Sequence, residues 1–360
     1  MQALAIHAGP RALAHLRREG LRPEHVRVVP AAAGGPKGLV LNALDRYLFG
    51  HWLSGTPAPV HLLGASIGAW RMAAACTRDP DAALAQLAED YITQRYPHAP
   101  GKGPQPKVVT RMFGDKLNER FGAHVADILS QPRFRLHVFT SRGTTLLKRP
   151  GRLRTPLGWL GAFASNAASR KGLGLWLERV VFSDARTPLP FPLSDFRSAT
   201  AALSAANAVP AILASCTVPF WLDPVQDIPG APRGAYWDGG ITDYHLHLPY
   251  NRMDGGIVLY PHFGSQVVPG WLDKSWKGRH RSTHFLDNLL LLAPRPQWVA
   301  TLPGGKLPDR NDFQRHVDDD DTRERLWRVA LAESRRLADE FASVVNGMTL
   351  GRLPDVLPLA

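Results

Sequence analysis

Three short stretches of this chain carry residue types that suit acyl chemistry. In Gly64-Ala65-Ser66-Ile67-Gly68 a serine stands between two glycines. Small residues two before and two after a serine permit a sharp turn, and that turn lifts the hydroxyl clear of the backbone as a nucleophile elbow. In Gly34-Gly35-Pro36-Lys37-Gly38 the glycines leave backbone N–H groups free to gather an anion, and Lys37 can add positive charge or be an ordinary surface lysine. In Asp238-Gly239-Gly240 a carboxylate precedes two glycines, which is either a turn or a proton acceptor. Together they hold a nucleophile, an anion cradle and a base.

The surrounding sequence positions all three at strand ends. Val60-His61-Leu62-Leu63 reads as a buried strand before the serine, and Ala69 to Cys76 reads as a helix after it. Val26 to Ala32 reads as a strand that runs into the glycine-rich turn, with a helix from Leu39 to Phe49 beyond. Neighbouring parallel strands would bring these two turns to one sheet edge. Gly234 to Trp237 reads as the strand that delivers Asp238. The glycine-rich turn is no Walker A loop, which needs Gly-x-x-x-x-Gly-Lys-[Ser/Thr]. It is no dinucleotide fingerprint either: Ala33 stands at the first glycine, and no acidic residue follows at the required spacing. An oxyanion hole remains.

In this order the stretches resemble the patatin-like phospholipases. Ala214-Ser215-Cys216-Thr217-Val218-Pro219-Phe220 is similar to that family's Ala-Ser-x-x-x-Pro segment, and Trp237 to Tyr244 to its Asp-Gly-Gly stretch. The resemblance covers about residues 26–78 and 200–262. It implies an α/β three-layer sandwich with a mainly parallel central sheet, and a serine lipid acyl hydrolase with a Ser66–Asp238 dyad and no cofactor or metal. Ser66 would attack and Asp238 would take its proton. Gly34, Gly35, Lys37 and Gly38 would form the oxyanion loop, Gly64 and Gly68 the elbow, and Gly239 and Gly240 the turn after the base. The family loop is usually Gly-Gly-Gly-x-[Arg/Lys]-Gly. Here Ala33 replaces the first glycine, and Pro36 removes one N–H donor.

Two other readings are open. One is an α/β-hydrolase triad recruiting His245, His247 or His262. It is disfavoured because the glycine-rich unit lies immediately before the serine rather than several strands earlier. The other is a catalytically idle binder of membrane lipid.

Composition bounds the rest. The 360 residues suffice for a large core, and two cysteines, Cys76 and Cys216, give neither a disulfide framework nor a metal cluster, so a reducing, cytoplasmic setting is expected. Charged residues interrupt the first twenty positions, so no secretion signal is expected, and the apolar run Leu289–Ala293 is too short to span a bilayer. The segment 101–200 holds 17 Lys or Arg against 6 Asp or Glu, so 11 of the net 12 positive charges sit there. No nucleic-acid motif accompanies them, so no nucleic-acid partner is expected. Basic residues interleave with Trp159, Phe163 and Trp176 across 148–177, which suits either a peripheral cap on an anionic membrane or a helical insertion with its aromatics in the core. A catalytic domain over 1–263, with an insertion at about 144–182, and a loop-rich, helical extension over 264–360 are expected. Asp318 to Asp321 reads as charge at a helix start rather than a metal site. One short helix is expected near Phe285–Leu292.

Overall fold

The computed structural model describes residues 1–56, 58–99, 102–349 and 354–359. Among these residues eleven strands form one sheet: β1 Leu4–Ala8, β2 Val26–Ala31, β3 Val60–Ala65, β4 Phe134–Gly143, β5 Leu177–Ser183, β6 Ser198–Ala202, β7 Val225–Gln226, β8 Ala235–Trp237, β9 Ile257–Pro261, β10 Leu289–Pro294 and β11 Val356–Pro358. The order along the sheet is β11-β1-β10-β9-β2-β3-β4-β5-β6, with β8 pairing the end of β4 and β7 pairing β8.

From β10 through β9, β2 and β3 to β4 every neighbour is parallel, while β1 and β5 join antiparallel. The central strands are apolar on both faces, as strands covered by helices on each side must be: every residue of β3 and β9 is buried. Burying one such Val or Leu contributes about 1.5–3 kcal/mol, so this continuous core is what fixes the sheet. The architecture is the expected α/β sandwich with added helices.

β2 and β3 are parallel neighbours with Ala31 opposite Gly64, so their following turns open side by side at one sheet edge. β8 then meets β4 antiparallel, Trp237 opposite Ser141, and brings the residue after it to the same edge.

Three sequence expectations change. The short helix expected near 285–292 is only a three-residue turn of 3₁₀ helix, His284–Leu286, leading into β10, because Leu289–Ala293 is apolar without helical periodicity and fills a fully buried strand. The glycine-rich turn leads into a 3₁₀ helix, Gly35–Leu41, before the α-helix Asn42–Tyr47 starts. The single helix expected over Thr322–Val345 is two, Asp320–Glu333 and Arg335–Thr349. Asp319 caps the first of these through Thr322 N–H at 3.1 Å, while Asp321 pairs with Arg95 and Asp320 with Arg323.

The insertion divides its apolar residues between two faces. In the helix Arg154–Ala168, Trp159 and Ala162 turn inward, and the Trp159 ring packs edge-on against Trp237 at 5.4 Å, with Leu147, Leu173 and Leu177 around them. Trp176 is half-buried and donates its indole N–H to Ser165 Oγ at 2.9 Å. The two tryptophans therefore pack inward, and Trp159 braces the strand that ends at Asp238.

Candidate active site

Ser66 sits where β3 turns into the helix Ile67–Ala75, with φ 56° and ψ −128°. A non-glycine residue held at positive φ stores strain, and the contacts around it must over-determine it. Its N–H donates to Ser215 Oγ at 2.9 Å, and Ser215 donates in turn to the Phe139 carbonyl at 2.7 Å, so β4 and the helix Ala208–Ser215 clamp the turn. A side chain at Gly68 is excluded, since its Cβ would lie 1.9 Å from the Ala31 oxygen; the helix runs that close to β2. Gly64 meets the Ala69 backbone in the same way, with 2.4 Å to Cα.

Asp238 follows β8. Its Oδ2 accepts the Ser66 hydroxyl at 2.7 Å and its Oδ1 accepts the Gly240 N–H at 2.7 Å. The backbone is pinned as well: Asp238 N–H donates to Thr217 O, Gly239 N–H to Ser215 O, and Ser141 Oγ to Asp238 O at 2.9 Å. Gly239 lies against Phe139 O and Gly240 against Ala33, with no room for a Cβ at either. Burial pushes the Asp238 carboxyl above its ordinary value, opposed by Arg310, by the Ser66 and Gly240 hydrogen bonds, and by Lys274. A carboxylate made more basic and touching a hydroxyl can take that proton.

The glycine-rich residues divide by position. Ala33, Gly34 and Lys37 line the same cavity as Ser66 and Asp238. Gly35 has φ +58°, a conformation glycine tolerates best, and its α-carbon faces Arg310 and Tyr91; Gly38 packs on Arg71 and Ile67. Ala33 N–H is spent on Tyr244 O at 2.9 Å, whereas Gly34 N–H has no protein acceptor among the described residues. A buried ion pair ties the two turns together: Asp45, after the glycine-rich turn, accepts from Arg71, after the serine, at 2.7 and 2.8 Å.

None of the three candidate histidines completes a triad. His245 Nδ1 accepts from Val268 N–H, His262 Nδ1 bonds Gly264, and His247 Nε2 meets Thr283 Oγ1. None of the three lines a cavity containing Ser66, and burial lowers the pKa of each. The Ser66 hydroxyl faces the carboxylate directly.

Ser66 belongs to two cavities. One, of about 360 Å³, is walled by Ile67, Val109, Phe113, Val218, Leu222 and Phe313 and is mostly apolar. The other, of about 410 Å³, is lined by Asp238, Asp309, Lys37 and Lys274, and Arg310 lines both. Phe220, Trp221 and Trp271 are exposed at the edge of the second cavity, and Phe220 is held at φ 68°. Sequence reasoning missed Arg310, Lys274 and most of these walls, which come from loops and from helices such as Pro106–Phe121 and Asn311–Arg315 that carry no motif of their own. It singled out Ser215 only within a similar segment; its role in holding the Ser66 turn emerges from the fold.

His15, Glu19 and His25 also converge, with His15 Nε2 2.9 Å from His25 Nδ1, but none of them lines either cavity. No helix among the described residues is long and apolar enough to cross a membrane. A family model described as patatin-like phospholipase matches residues 34–246, a span that contains all three motifs. No curated protein matches the chain at significance.

Proposed function

The chain belongs to the patatin-like phospholipase family and is a hydrolase, and on that premise we propose that it is a serine lipid acyl hydrolase, of the phospholipase A, lysophospholipase or carboxylester type. The observation that carries the reading is the 2.7 Å contact from Ser66 Oγ to Asp238 Oδ2 inside a buried site.

Asp238 takes the Ser66 proton as the oxygen attacks an ester carbonyl, and the electron pair moves onto the carbonyl oxygen. The Gly34–Gly38 loop receives that oxyanion. Gly34 supplies an uncommitted N–H, Pro36 supplies none, and Lys37 adds charge from the same cavity. Collapse breaks the ester bond, the alcohol leaves with the proton from Asp238, and acyl-Ser66 remains. Water then attacks the acyl group with its proton passing to Asp238, which returns that proton to Ser66 Oγ as the Ser66–acyl bond breaks and the fatty acid leaves. The acyl chain fits the apolar cavity and the alcohol half the polar one.

The dyad works with Asp238 ionised. Because burial raises its pKa, activity is lost as pH falls at a higher pH than an unperturbed carboxylate, near 3.9, would set. A kcat/KM profile with a soluble ester should show this acid limb displaced upward. A limb at or below the ordinary aspartate value would contradict Asp238 as the base.

The insertion supports peripheral contact with an anionic bilayer. Leu153, Leu157, Leu160, Phe163 and Leu175 are 49–75 % exposed, and the first four fall on one helical stripe. Lys148, Arg149, Arg152, Arg154 and Lys171 surround them, all exposed and with no carboxylate within salt-bridge distance among the described residues. Arg170, also a basic residue of 148–177, is instead bound to Asp273 at 2.9 Å. Each basic side chain contributes roughly 1 kcal/mol at an anionic surface and each buried leucine about 2 kcal/mol. Leu157→Ser with Leu160→Ser should weaken binding to phosphatidylglycerol vesicles about tenfold or more. The ratio of vesicle to soluble-ester hydrolysis should fall with it. Unchanged vesicle binding would assign the stripe another role.

The activity itself is tested by offering purified protein a series from short p-nitrophenyl esters to lysophospholipids and vesicles. Turnover of long-chain esters is expected. No turnover of any member would overturn the reading in favour of a lipid binder.

A further inference from the structure

The polar cavity carries more positive charge than the dyad needs. Lys37, Lys274 and Arg310 all line it beside Ser66. Elsewhere in the molecule the buried arginines are satisfied: Arg71 by Asp45, Arg179 by Asp195 and Asp243, Arg323 by Asp320, and Arg135 by the Gln131, Pro132 and Phe134 carbonyls. Among the described residues, none of the three cavity cations has a carboxylate within 4.0 Å. The nearby Asp309 is held by Lys306 at 3.0 Å, and Asp238 is committed to Ser66 and Gly240.

What the two lysines do have is aromatic faces. Lys274 Nζ lies 4.1 Å from the Tyr244 ring centre and 5.6 Å from that of Trp271, and Lys37 Nζ lies 5.2 Å from Phe263. Such contacts orient an ammonium without cancelling its charge. Three basic groups with no direct ion pair outnumber the two carboxylates, Asp238 and Asp309, in one concavity, and the arrangement favours an anion entering from outside. The apolar cavity meets this one at Ser66, so an ester whose acyl chain lies in the former places its alcohol half among the cations.

We propose that Lys37, Lys274 and Arg310 form an anion subsite that makes the enzyme select acyl esters whose alcohol half bears an uncompensated negative charge, as in acidic lipids, over zwitterionic and neutral ones. This rests on the acyl-hydrolase reading above and adds the substrate class. A quaternary ammonium on the head group would be repelled by the same three groups, which sets choline lipids at a disadvantage.

The subsite carries its own pH signature. Lys274 reaches solvent, as a ligand-binding group must, yet burial of its surroundings pushes its pKa down to about 7, assisted by Lys37 and Arg310 and opposed by Asp238. The groups facing it are those three, Asp309 across the cavity, and the Tyr244 and Trp271 rings. The preference for an anion is therefore strongest below neutrality and declines as pH rises and Lys274 loses its proton.

The test compares three monomeric short-chain substrates with one acyl group: lysophosphatidylglycerol, lysophosphatidylcholine and monoacylglycerol. Wild type should favour the anionic ester by about tenfold or more in kcat/KM, chiefly through KM. In Lys274→Met with Arg310→Met the anionic-to-neutral ratio should fall to near one. Lys274→Arg should keep the ratio but lose its decline across neutral pH, a change that a merely structural lysine would not produce. Equal kcat/KM for all three esters in wild type overturns the subsite and leaves the hydrolase standing. Binding to Ser66→Ala separates the two claims further. Octyl sulfate, whose charge is fixed, should bind and should lose affinity when Lys274 and Arg310 are replaced, even if no ester were ever hydrolysed. Inorganic phosphate binding as tightly as octyl sulfate would overturn the subsite in favour of a free-anion site.

Discussion

Asp238→Asn is expected to lower kcat toward a soluble ester by about a thousandfold or more, with the fold intact. The amide matches the carboxylate in size, and its oxygen can still accept the Gly240 N–H that Oδ1 accepts at 2.7 Å. Its NH₂ group then faces Ser66 Oγ, where Oδ2 accepted at 2.7 Å, so the hydroxyl meets a donor and has nowhere to send its proton. Ser66→Ala removes the attacking atom and should cost on the order of 10⁴-fold or more. Native circular dichroism with substantial activity in either variant would remove the dyad from the account. Replacing His245, His247 or His262 should leave no comparable loss attributable to chemistry, since none reaches Ser66.

The largest stability effect is expected from Arg179. Its side chain is fully buried, and it donates to Asp243 Oδ2 at 2.8 Å and to Asp195 at 2.8 and 2.9 Å. Asp243 ends the short helix Gly240–Asp243 that directly follows the base, so this pair anchors the loop carrying Asp238. Arg179→Met strands two carboxylates away from water and should cost about 3–5 kcal/mol, seen as a lower denaturation midpoint at unchanged slope. Adding Asp243→Asn and Asp195→Asn should recover part of that loss, because the penalty comes from unpaired charge. A midpoint within experimental error of wild type would show that the buried pair contributes nothing.

The chemistry was legible in the sequence because it depends on local geometry. A serine at positive φ, with the Ala31 carbonyl of β2 only 1.9 Å from any Cβ at residue 68, demands glycines at fixed offsets, and they stand in the sequence as a pattern. The side-by-side placement of the turns followed from two successive strand–helix units and is realised by the parallel pairing of β2 and β3.

Other features had no such signature. Leu289–Ala293 is apolar throughout, so its pattern does not separate a helix from a strand buried on both faces. The aromatic and basic content of 148–177 was visible, but which aromatics face inward depends on Trp237 arriving from far along the chain to meet Trp159. Lys274 and Arg310 lie in irregular segments and reach the site only through tertiary packing. Ser215, inside a recognisable segment, works through a hydrogen bond to a backbone amide 149 residues away in sequence.

The most direct test of the central claim is covalent labelling with a fluorophosphonate, followed by mass spectrometry of the modified peptide. The reagent needs an activated serine, and the phosphonyl oxygen needs the same cradle as the oxyanion. One phosphonyl group per chain is predicted, on Ser66 within the peptide that contains Gly64-Ala65-Ser66-Ile67-Gly68. Asp238→Asn should slow the labelling sharply, and Ser66→Ala should abolish it. Labelling at a different serine, or undiminished labelling of Ser66 without Asp238, would contradict a Ser66–Asp238 dyad.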